Sequence, residues 1–397
     1  MARPDVALIT PYPPPGGRHG GTGGVPSYSA NLAHALQGQG LDVTVIAPID
    51  ERSPLMHDDD GVEVRRPFQL GARALPRAAQ AALATQAPVV HLQHEMFLYG
   101  GPRWIAGLPS GLRKLRAAGV GPVVTMHQVV DPTTVDSSFT RLHRVQVPAA
   151  VARAGVFGVQ ETIRRLARRT IVHESSFEST MPGAEVVPHG VELATPPDRN
   201  EARSQLALDS RLTVLCFGYV APYKGLEAAL AASELARGKI DLVVAGGEHP
   251  RLAGRDRYAS LLQERFGHAA RFTGYVPEAD VARWFAAADV ALMPYPKPFS
   301  SSGALALALA YGTPVLLSNE FRQATKAPRS VSTSIDPERL ADRLIALSDA
   351  SQLELLRTET NSLARGRAWP EVARRHSALY GEVNDASSPS GGRFRAA

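Results

Sequence analysis

The chain of 397 residues is too long for one ordinary hydrophobic core, so two domains are the simplest expectation. Its composition, 44% hydrophobic and 20% charged, is typical of a soluble globular protein, and no apolar run approaches the ~18 residues of a membrane span. The single cysteine, Cys216, excludes intramolecular disulfides and argues against a zinc site built on cysteines.

The net charge of +5 would suit an anionic partner, but the arginines are scattered among alanines, which favours an ordinary basic surface. We therefore expect no nucleic-acid partner. The run "RRLARR" at 164–169 is compatible with contact to acidic lipid, although a solvated helix face is the favoured interpretation. The first apolar stretch is too short for a signal peptide, so a cytoplasmic protein is expected.

Short β-branched runs alternate with alanine-rich stretches of helical period, which predicts βαβ units and parallel sheets. The predicted strands are Val6–Thr10, Asp42–Pro48, Val89–Gln93, Pro122–His127 and Thr170–His173, then Leu212–Gly218, Ile240–Gly247, Ala270–Val276, Asp289–Tyr295 and Pro314–Ser318. Because the pattern restarts halfway, we expect an α/β chain of two Rossmann-like, doubly wound domains facing a central cleft. Ligands would bind there, at the carboxyl ends of the strands.

Prolines and glycines between Pro188 and Pro197 break regular structure before a new helix near Asn200. The predicted domains are therefore residues 1–187 and 206–370, joined by a linker at 188–205. A C-terminal helix at 371–384 could pack back on the first domain. Residues 385–397 are rich in small polar side chains and are expected to be disordered.

A proline- and glycine-rich loop follows the first strand and leads into a helix near Val25. Glycines let backbone N–H groups approach a phosphate, and a helix N-terminus favours negative charge. Gly23 and Gly24 in "GTGGVP" are therefore phosphate-binding candidates, with a flexible loop that binds nothing as the alternative. A dinucleotide fingerprint is disfavoured, because its final small residue and the acidic residue after the second strand are both missing.

The stretch "CFGYVAPYKGLEAAL" predicts a strand, a loop and a helix, with Lys224 at the turn. The helix dipole disfavours a lysine at a helix start unless an anion lies there. Lys224 is therefore a candidate for binding a diphosphate. A surface lysine without a ligand is the alternative.

Histidines stand at strand ends or at the domain boundary: His94, which precedes Glu95, His127 in "TMHQ" and His189 in "PHG". One histidine is more often structural than catalytic, but three at such positions suggest a site. His127 and Glu95 are the catalytic candidates, with a structural carboxylate as the alternative for Glu95. No metal site is predicted, because "HDDDG" at 57–61 is interpreted as a solvated turn.

Several motifs occur in a fixed order over nearly the whole chain: "GTGGV", "VVTMH", "VVPHGV", "FGYVAPYKG", "FTGYVPEADVARWFAAADVALMPY" and "ALALAYGTPV". Together they resemble the retaining glycosyltransferases of the GT-B fold, family 4 type. The resemblance implies that the first domain takes mainly the acceptor and the second mainly a nucleotide-sugar. It also implies a reaction that needs no metal.

Carried over by position, the resemblance places Gly24 against the donor diphosphate, His127 near the transferred sugar and Lys224 on the phosphates. The remaining donor-site residues are predicted to be Tyr219, His189, Gly274, Tyr275 and Val276, of which the last three would lie near the nucleotide base.

Two departures from the family pattern concern the donor. Tyr219 stands where many members have an arginine, so one positive charge near the diphosphate is missing. Phe299 and Leu307 stand where the common pattern has two glutamates, which contact the donor sugar and the ribose in members that have them. The donor sugar therefore does not follow from the resemblance.

The segment Ser300, Ser301, Ser302 and Gly303 precedes a helix that we expect to begin near Ala304. N–H groups and hydroxyls at a helix N-terminus form an anion site without formal charge. We expect this segment to bind the donor phosphates in place of the missing arginine. Serines that only cap the helix are the alternative.

The predicted function is transfer of a hexose, with retained anomeric configuration, from a nucleoside diphosphate sugar to a hydroxyl acceptor. UDP or GDP is the favoured nucleotide, no cofactor is expected, and the acceptor would be a small soluble metabolite or a glycan or lipid precursor. Because both glutamates are missing, the alternative is a non-catalytic relative that binds a nucleotide-sugar as a partner or regulatory subunit. A Rossmann-type oxidoreductase is the alternative from another class.

Overall fold

The computed structural model describes residues 3–17, 24–142, 145–248, 257–297 and 302–385. The chain divides into two compact units: unit 1, formed by Met1–Gly190 and Trp369–Ala397, and unit 2, formed by Val191–Ala368. Each unit is built on one mainly parallel sheet with helices between its strands, which confirms the predicted α/β class. The tail predicted to be disordered lies, except for Asp385, outside the described residues.

The strands are β1 (Val6–Ile9), β2 (Val43–Pro48), β3 (Met56–Asp59), β4 (Val62–Phe68), β5 (Val89–His94), β6 (Val123–Met126), β7 (Arg169–Val172), β8 (Glu185–Val186), β9 (Leu212–Phe217), β10 (Ile240–Ala245), β11 (Arg271–Gly274), β12 (Val290–Met293), β13 (Val315–Ser318) and β14 (Ser332–Thr333). Every predicted strand is present, with ends that differ by at most two residues.

The helices are α1 (Gly24–Gln37), α2 (Ala74–Ala84), α3 (Leu108–Ala117), α4 (Ser137–Leu142), α5 (Ala149–Leu166), α6 (Arg199–Gln205), α7 (Leu226–Ala236), α8 (Tyr258–Phe266), α9 (Glu278–Ala287), α10 (Gly303–Ala310), α11 (Asn319–Thr325), α12 (Pro337–Ala346), α13 (Ala350–Arg365) and α14 (Trp369–Asp385). Short 3₁₀ helices lie at Pro102–Gly107, Pro132–Thr134, Ser175–Ser179, Pro222–Lys224 and Arg329–Val331.

The sheet of unit 1 has the strand order β3-β4-β2-β1-β5-β6-β7-β8. All neighbours pair in parallel except β3 and β4, which form a hairpin with its turn at Asp60 and Gly61. The prediction of a solvated turn for the whole of 57–61 is therefore wrong, because His57 to Asp59 belong to β3. Asp59 also accepts hydrogen bonds, from the Tyr12 hydroxyl at 2.7 Å among others.

Alternate residues of these strands face opposite layers of helices, as the two-residue period of a strand requires. On β1, Val6 and Leu8 pack with α1 and α14, whereas Ala7 and Ile9 pack with α2, α3 and α5. Because both faces are covered, β1 is buried along its whole length. The C-terminal helix α14 is thus part of the core of unit 1.

The sheet of unit 2 has the order β11-β10-β9-β12-β13-β14, with all neighbours parallel. Helix α7 packs on α12, and α10 packs on α13, around one large hydrophobic core, beside which α6 and α9 form a small separate cluster. In the described part of the chain, no helix combines the length and the apolar character that crossing a membrane requires.

Candidate functional site

In the sheet of unit 2, strand order reverses between β9 and its neighbour β12. The chain leaves β9 toward β10 on one side, and it leaves β12 toward β13 on the other. Such a reversal opens a crevice at the carboxyl ends of the two strands, which is where open α/β sheets bind their ligands. Lys224 follows β9 and Ser302 follows β12, so two predicted phosphate-binding segments flank this point.

Lys224 is a buried lysine, only 7% exposed, which argues against the alternative of a surface lysine. Its Nζ donates a hydrogen bond to the Phe217 carbonyl oxygen, 2.8 Å away at the end of β9. Burial lowers the pKa of this ammonium to about 8. An ammonium has three donors, and this is its one hydrogen bond among the described residues, so two donors remain for a ligand.

Glycines make room for this lysine. Gly218 has φ +97°, and a Cβ at that position would lie 2.6 Å from Lys224 Nζ. Gly225 begins α7 with φ +64°, and a Cβ there would lie 2.3 Å from the Pro294 carbonyl oxygen, after β12. The loops after β9 and β12 are therefore in direct contact, with Lys224 held between two left-handed glycines.

Helix α10 starts at Gly303, one residue earlier than expected, with Ser302 as its N-cap. The Ser302 hydroxyl oxygen accepts a hydrogen bond from Leu305 N at 3.2 Å, so Ser302 does cap its own helix. A Cβ built at Gly303 comes within 4 Å of no described atom outside its chain neighbours and the backbone of its own helix. Anion binding there stays a prediction, and Ser300 and Ser301 lie outside the described residues.

The other predicted donor-site residues of unit 2 lie at the same edge of the sheet. Tyr219, which follows Gly218, is 39% exposed. Gly274 ends β11 with φ +69° and bridges to Gly246 after β10. Next to it, Tyr275 is exposed and Val276 is buried.

In unit 1 the corresponding reversal lies between β1 and β5. Gly24 begins α1 after β1, and a Cβ built there meets no described atom within 4 Å, whereas Gly23 lies outside the described residues. Glu95 follows β5 and is partly buried, which raises the pKa of its carboxyl group. His127 follows β6, and its backbone N–H donates to the His94 carbonyl oxygen at 2.9 Å.

A buried hydrogen-bonded series connects His127 with the interior of unit 1. His127 Nδ1 lies 3.2 Å from His173 Nε2, and His127 Nε2 lies 2.7 Å from the Gln93 side chain. Gln93 in turn lies 3.2 Å from His91 Nε2, and His91 Nδ1 lies 2.6 Å from the Tyr380 hydroxyl of α14. We call these five side chains the polar series.

The donors and acceptors around the polar series indicate which ring nitrogens of its histidines carry a proton. His173 Nδ1, 2.9 Å from the Val187 carbonyl oxygen, must carry a proton, so a neutral His173 accepts at Nε2 from His127 Nδ1–H. His127 Nε2 then accepts from the Gln93 amide. This requires the Gln93 oxygen to face His91 Nε2–H, an amide orientation reached by a 180° rotation of the terminal group. His91 Nε2 also lies 2.8 Å from the Thr125 hydroxyl oxygen, which can accept from its N–H, so neutral imidazoles are compatible with all these contacts.

His189, the predicted donor-binding residue of unit 1, lies in an aromatic cluster around Tyr28 of α1. The Tyr28 ring centroid is 4.7 Å from that of His127, 4.9 Å from that of His189 and 5.1 Å from that of Trp369. Tyr28 is buried, which raises the pKa of its hydroxyl. The structure thus brings His127 and His189 together, through a tyrosine that the sequence did not single out.

Sequence reasoning missed Gln93, His173, Tyr28 and Tyr380. For His173 a signal existed, because β6 and β7 are each followed by a histidine in the same register. Gln93 and Tyr380 gave no signal, since only the paired strands and the packing of α14 on the sheet bring them to His91. Among the described residues, no group of three or more His, Cys, Asp or Glu could hold a metal ion.

Residues 211–350, most of unit 2, match the family described as glycosyl transferases group 1. A D-inositol 3-phosphate glycosyltransferase of Catenulispora acidiphila is 29% identical over 98% of this chain and 96% of its own length. A D-inositol 3-phosphate glycosyltransferase of Nocardioides sp. is 28% identical, over 94% of this chain and 89% of its own.

Two solved structures show a similar fold. Sucrose-phosphate synthase from Thermosynechococcus elongatus superposes with a TM-score of 0.67 at 20% identity, covering 96% of this chain and 99% of its own. HepE of Anabaena in complex with UDP superposes with a TM-score of 0.64 at 13% identity, covering 95% and 100%.

The neutral histidines predict loss of stability in acid. Burial holds the pKa of His91 and His127 well below the usual value, and lowers that of His94 and His376 to about 4. Histidines of the unfolded chain have a pKa near 6.5 and bind protons that the folded protein does not bind. The free energy of unfolding therefore falls as the pH drops below about 6.5. Each such histidine contributes up to about 1.4 kcal/mol per pH unit.

Urea unfolding monitored at pH 7.5, 6.5 and 5.5 tests this, and the midpoint should fall steeply below pH 6.5. His376→Phe should lower the slope of the free energy of unfolding against pH by the equivalent of about one proton. His268→Phe, at an exposed histidine paired with Glu234, is the control and should leave this slope unchanged. A midpoint that is constant down to pH 5.5 would show that these histidines are not held neutral.

Proposed function

We propose that the chain is a glycosyltransferase of the group 1 type with the GT-B fold, and that it transfers a hexose from a nucleoside diphosphate sugar to a hydroxyl acceptor with retained anomeric configuration. The observation that carries the proposal is the buried ammonium of Lys224 at the β9/β12 reversal. A buried cation with unused donors costs free energy unless an anion binds there.

We propose that unit 2 binds the donor diphosphate between Lys224 and the N-terminus of α10. The Leu305 and Ala306 N–H groups already donate to Ser302, so the N–H groups of Gly303 and Ala304 would receive the phosphate, and the helix dipole adds partial positive charge. Tyr219 supplies no charge at the position where many members of the resembling family have an arginine. Lys224 and the N-terminus of α10 therefore contribute more of the stabilisation of the negative charge on the diphosphate. Cation and dipole together support a reaction without a metal ion.

In the reaction, the bond between the anomeric carbon and the diphosphate oxygen breaks while the acceptor oxygen bonds to the same face of that carbon. The acceptor proton passes to the departing diphosphate oxygen, so no protein base has to hold it. The protein mainly stabilises the negative charge that develops on the leaving group. That role suits Lys224, whose pKa an anion would raise.

We assign to His127 a contact with the transferred sugar, and to Glu95 a contact with the acceptor hydroxyl. Gln93 and His173 hold the His127 ring in one orientation and one tautomer, so it needs no rearrangement when the sugar binds. Partial burial raises the pKa of the Glu95 carboxyl group, and this group can accept a hydrogen bond from the acceptor hydroxyl.

The alternative of a non-catalytic nucleotide-sugar-binding relative rests on the missing glutamates. Leu307 packs against the core of unit 2, so an apolar side chain occupies the second glutamate position, and Phe299 lies outside the described residues. The matches to glycosyltransferases remove the support for an oxidoreductase. The relatives are named for D-inositol 3-phosphate, and for this chain we propose only a hydroxyl acceptor. UDP or GDP as the nucleotide, the lack of a cofactor and a cytoplasmic location stay predictions.

Binding of a nucleoside diphosphate should weaken as pH rises. The free protein loses the Lys224 proton above pH 8, and the diphosphate requires the charged form, so the Kd should rise about fourfold between pH 7 and pH 8.5. Isothermal titration calorimetry of UDP and GDP in buffers of different ionisation enthalpy should show proton uptake at pH 8.5.

Lys224→Met should raise the Kd by about tenfold or more, through loss of a charged hydrogen bond, and abolish the pH dependence. Lys239→Met, at an exposed lysine of the same unit, is the control and should change neither property. Unchanged affinity in Lys224→Met would remove this lysine from the donor site.

Gly303→Val should block the approach of phosphate to the N-terminus of α10. Its Cβ meets no described protein atom, so the melting temperature should change little while the nucleotide Kd rises at least about tenfold, equivalent to about 1.4 kcal/mol. Gly158→Val, at an exposed glycine of α5 with equal space, should bind nucleotide normally. If Gly303→Val also binds normally, Ser302 and Gly303 serve only to start the helix.

His127→Ala should lower kcat by about a hundredfold, a loss in the range reported for one transition-state contact, with nucleotide affinity unchanged. Product analysis by NMR should show the anomeric configuration of the donor in wild-type product. Collapse of nucleotide binding in His127→Ala would contradict the division of roles between the units, and an inverted product would contradict the same-face mechanism.

A further inference from the structure

A cavity of about 190 Å³ lies in unit 1 at the carboxyl ends of β5 and β6. Its walls include the last residues of these strands, His94 and Met126, and part of α5 with Val156 and Val159. An apolar cavity of about 150 Å³ in a protein core is large enough to bind benzene. This cavity is therefore large enough for a six-membered carbon ring with a small substituent.

The cavity lies beside His127 along the chain. Met126 and Gln128, the two neighbours of His127, both line it. Because side chains alternate along a strand, Gln93 and His127 belong to the polar series on one face of the sheet, while His94 and Met126 lie opposite each other on the other face. A ligand in the cavity would thus lie at the edge where His127 emerges.

The walls are mainly apolar, with His94, Gln128 and Gln160 as polar members, and carry no formal charge. Among the described residues that line the cavity, none is Asp, Glu, Lys or Arg. Phe97, Val147 and Val151 are 38%, 40% and 56% exposed, so an apolar rim continues the wall to the surface. A phosphorylated ligand is bound through arginines, lysines or arrays of N–H groups, so these walls select against it.

His94 is the polar group that the structure leaves unsatisfied here. It is 3% exposed, and neither ring nitrogen has a hydrogen-bond partner among the described residues. Burial keeps this imidazole neutral by lowering its pKa to about 4, so it offers one donor and one acceptor. A hydroxyl group both donates and accepts, and can therefore pair with either nitrogen.

We propose that this cavity binds the acceptor, and that the acceptor is an uncharged compound with an apolar part the size of a six-membered ring and a hydroxyl group that pairs with His94. The assignment of the ligand as acceptor rests on the proposed function. The assignment of its chemistry rests on the cavity alone.

The two methionines in the wall, Met96 and Met126, allow a direct test on the full chain. In protein labelled with [¹³C-methyl]methionine, cyclohexanol should shift both methyl signals saturably, and myo-inositol 1-phosphate should not. Gly155→Leu points a side chain into the cavity, since a Cβ there meets no described atom within 4 Å, and should abolish the shifts. Gly158→Leu, one turn further on the exposed face of the same helix, should retain them.

The role of His94 is tested by His94→Phe, which keeps the ring and removes both nitrogens. Cyclohexanol should bind at least about fivefold more weakly to this variant, whereas benzene, which has no hydroxyl, should bind equally well or better. If cyclohexanol and benzene lost affinity equally, the effect of the substitution would come from altered packing. That result would overturn the proposed pairing of a ligand hydroxyl with His94.

The proposal is overturned if cyclohexanol shifts neither methionine, if Gly155→Leu responds like wild type, or if myo-inositol 1-phosphate binds instead. Slow hydrolysis of the nucleotide-sugar in the absence of acceptor reports on the proposed function separately. A protein that hydrolyses no nucleotide-sugar but shows the methionine shifts would contradict the proposed transfer reaction, and with it the role of the ligand as acceptor, and would support only the assigned ligand chemistry of the cavity.

Discussion

Both units depend on one constraint, the parallel arrangement of their strands. It directs the carboxyl end of every strand except the antiparallel β3 to one edge of the sheet, and the reversal of strand order leaves that edge open at one place. Polar groups that face the opening need partners there. In unit 2 the Phe217 carbonyl oxygen receives the Lys224 ammonium, and in unit 1 the strand ends carry His94, Glu95 and His127. The candidate site follows from this geometry rather than from any single motif.

The two units satisfy their buried polar groups in different ways. In unit 2 a cation remains charged near neutral pH and keeps donors available, which suits binding of an anion. In unit 1 the polar series is neutral and internally complete from His173 to Tyr380, which suits a rigid support for His127. Opposite strand faces separate this series from the apolar cavity beside His94, so support and proposed acceptor binding do not compete.

The repeating β-branched and alanine-rich pattern was sufficient to predict the fold class and ten of the fourteen described strands. It missed β4, β8 and β14, and also β3, where the polar residues His57 to Asp59 lack apolar alternation and are held by pairing with β4. His127 could be predicted because it stands directly after a strand, and Lys224 because it stands at the turn just before a helix. Gln93 and Tyr380 could not, because 287 residues of chain separate them and only the packing of α14 on the sheet joins them through His91.

The central claim is that a diphosphate binds at the β9/β12 reversal of unit 2. A crystal structure with the nucleoside diphosphate that most stabilises the protein, chosen from UDP, GDP and ADP, tests it most directly. The account predicts phosphate oxygens within hydrogen-bonding distance of Lys224 Nζ and of the first N–H groups of α10. A diphosphate bound elsewhere, with Lys224 still bonded only to the Phe217 carbonyl, would contradict it.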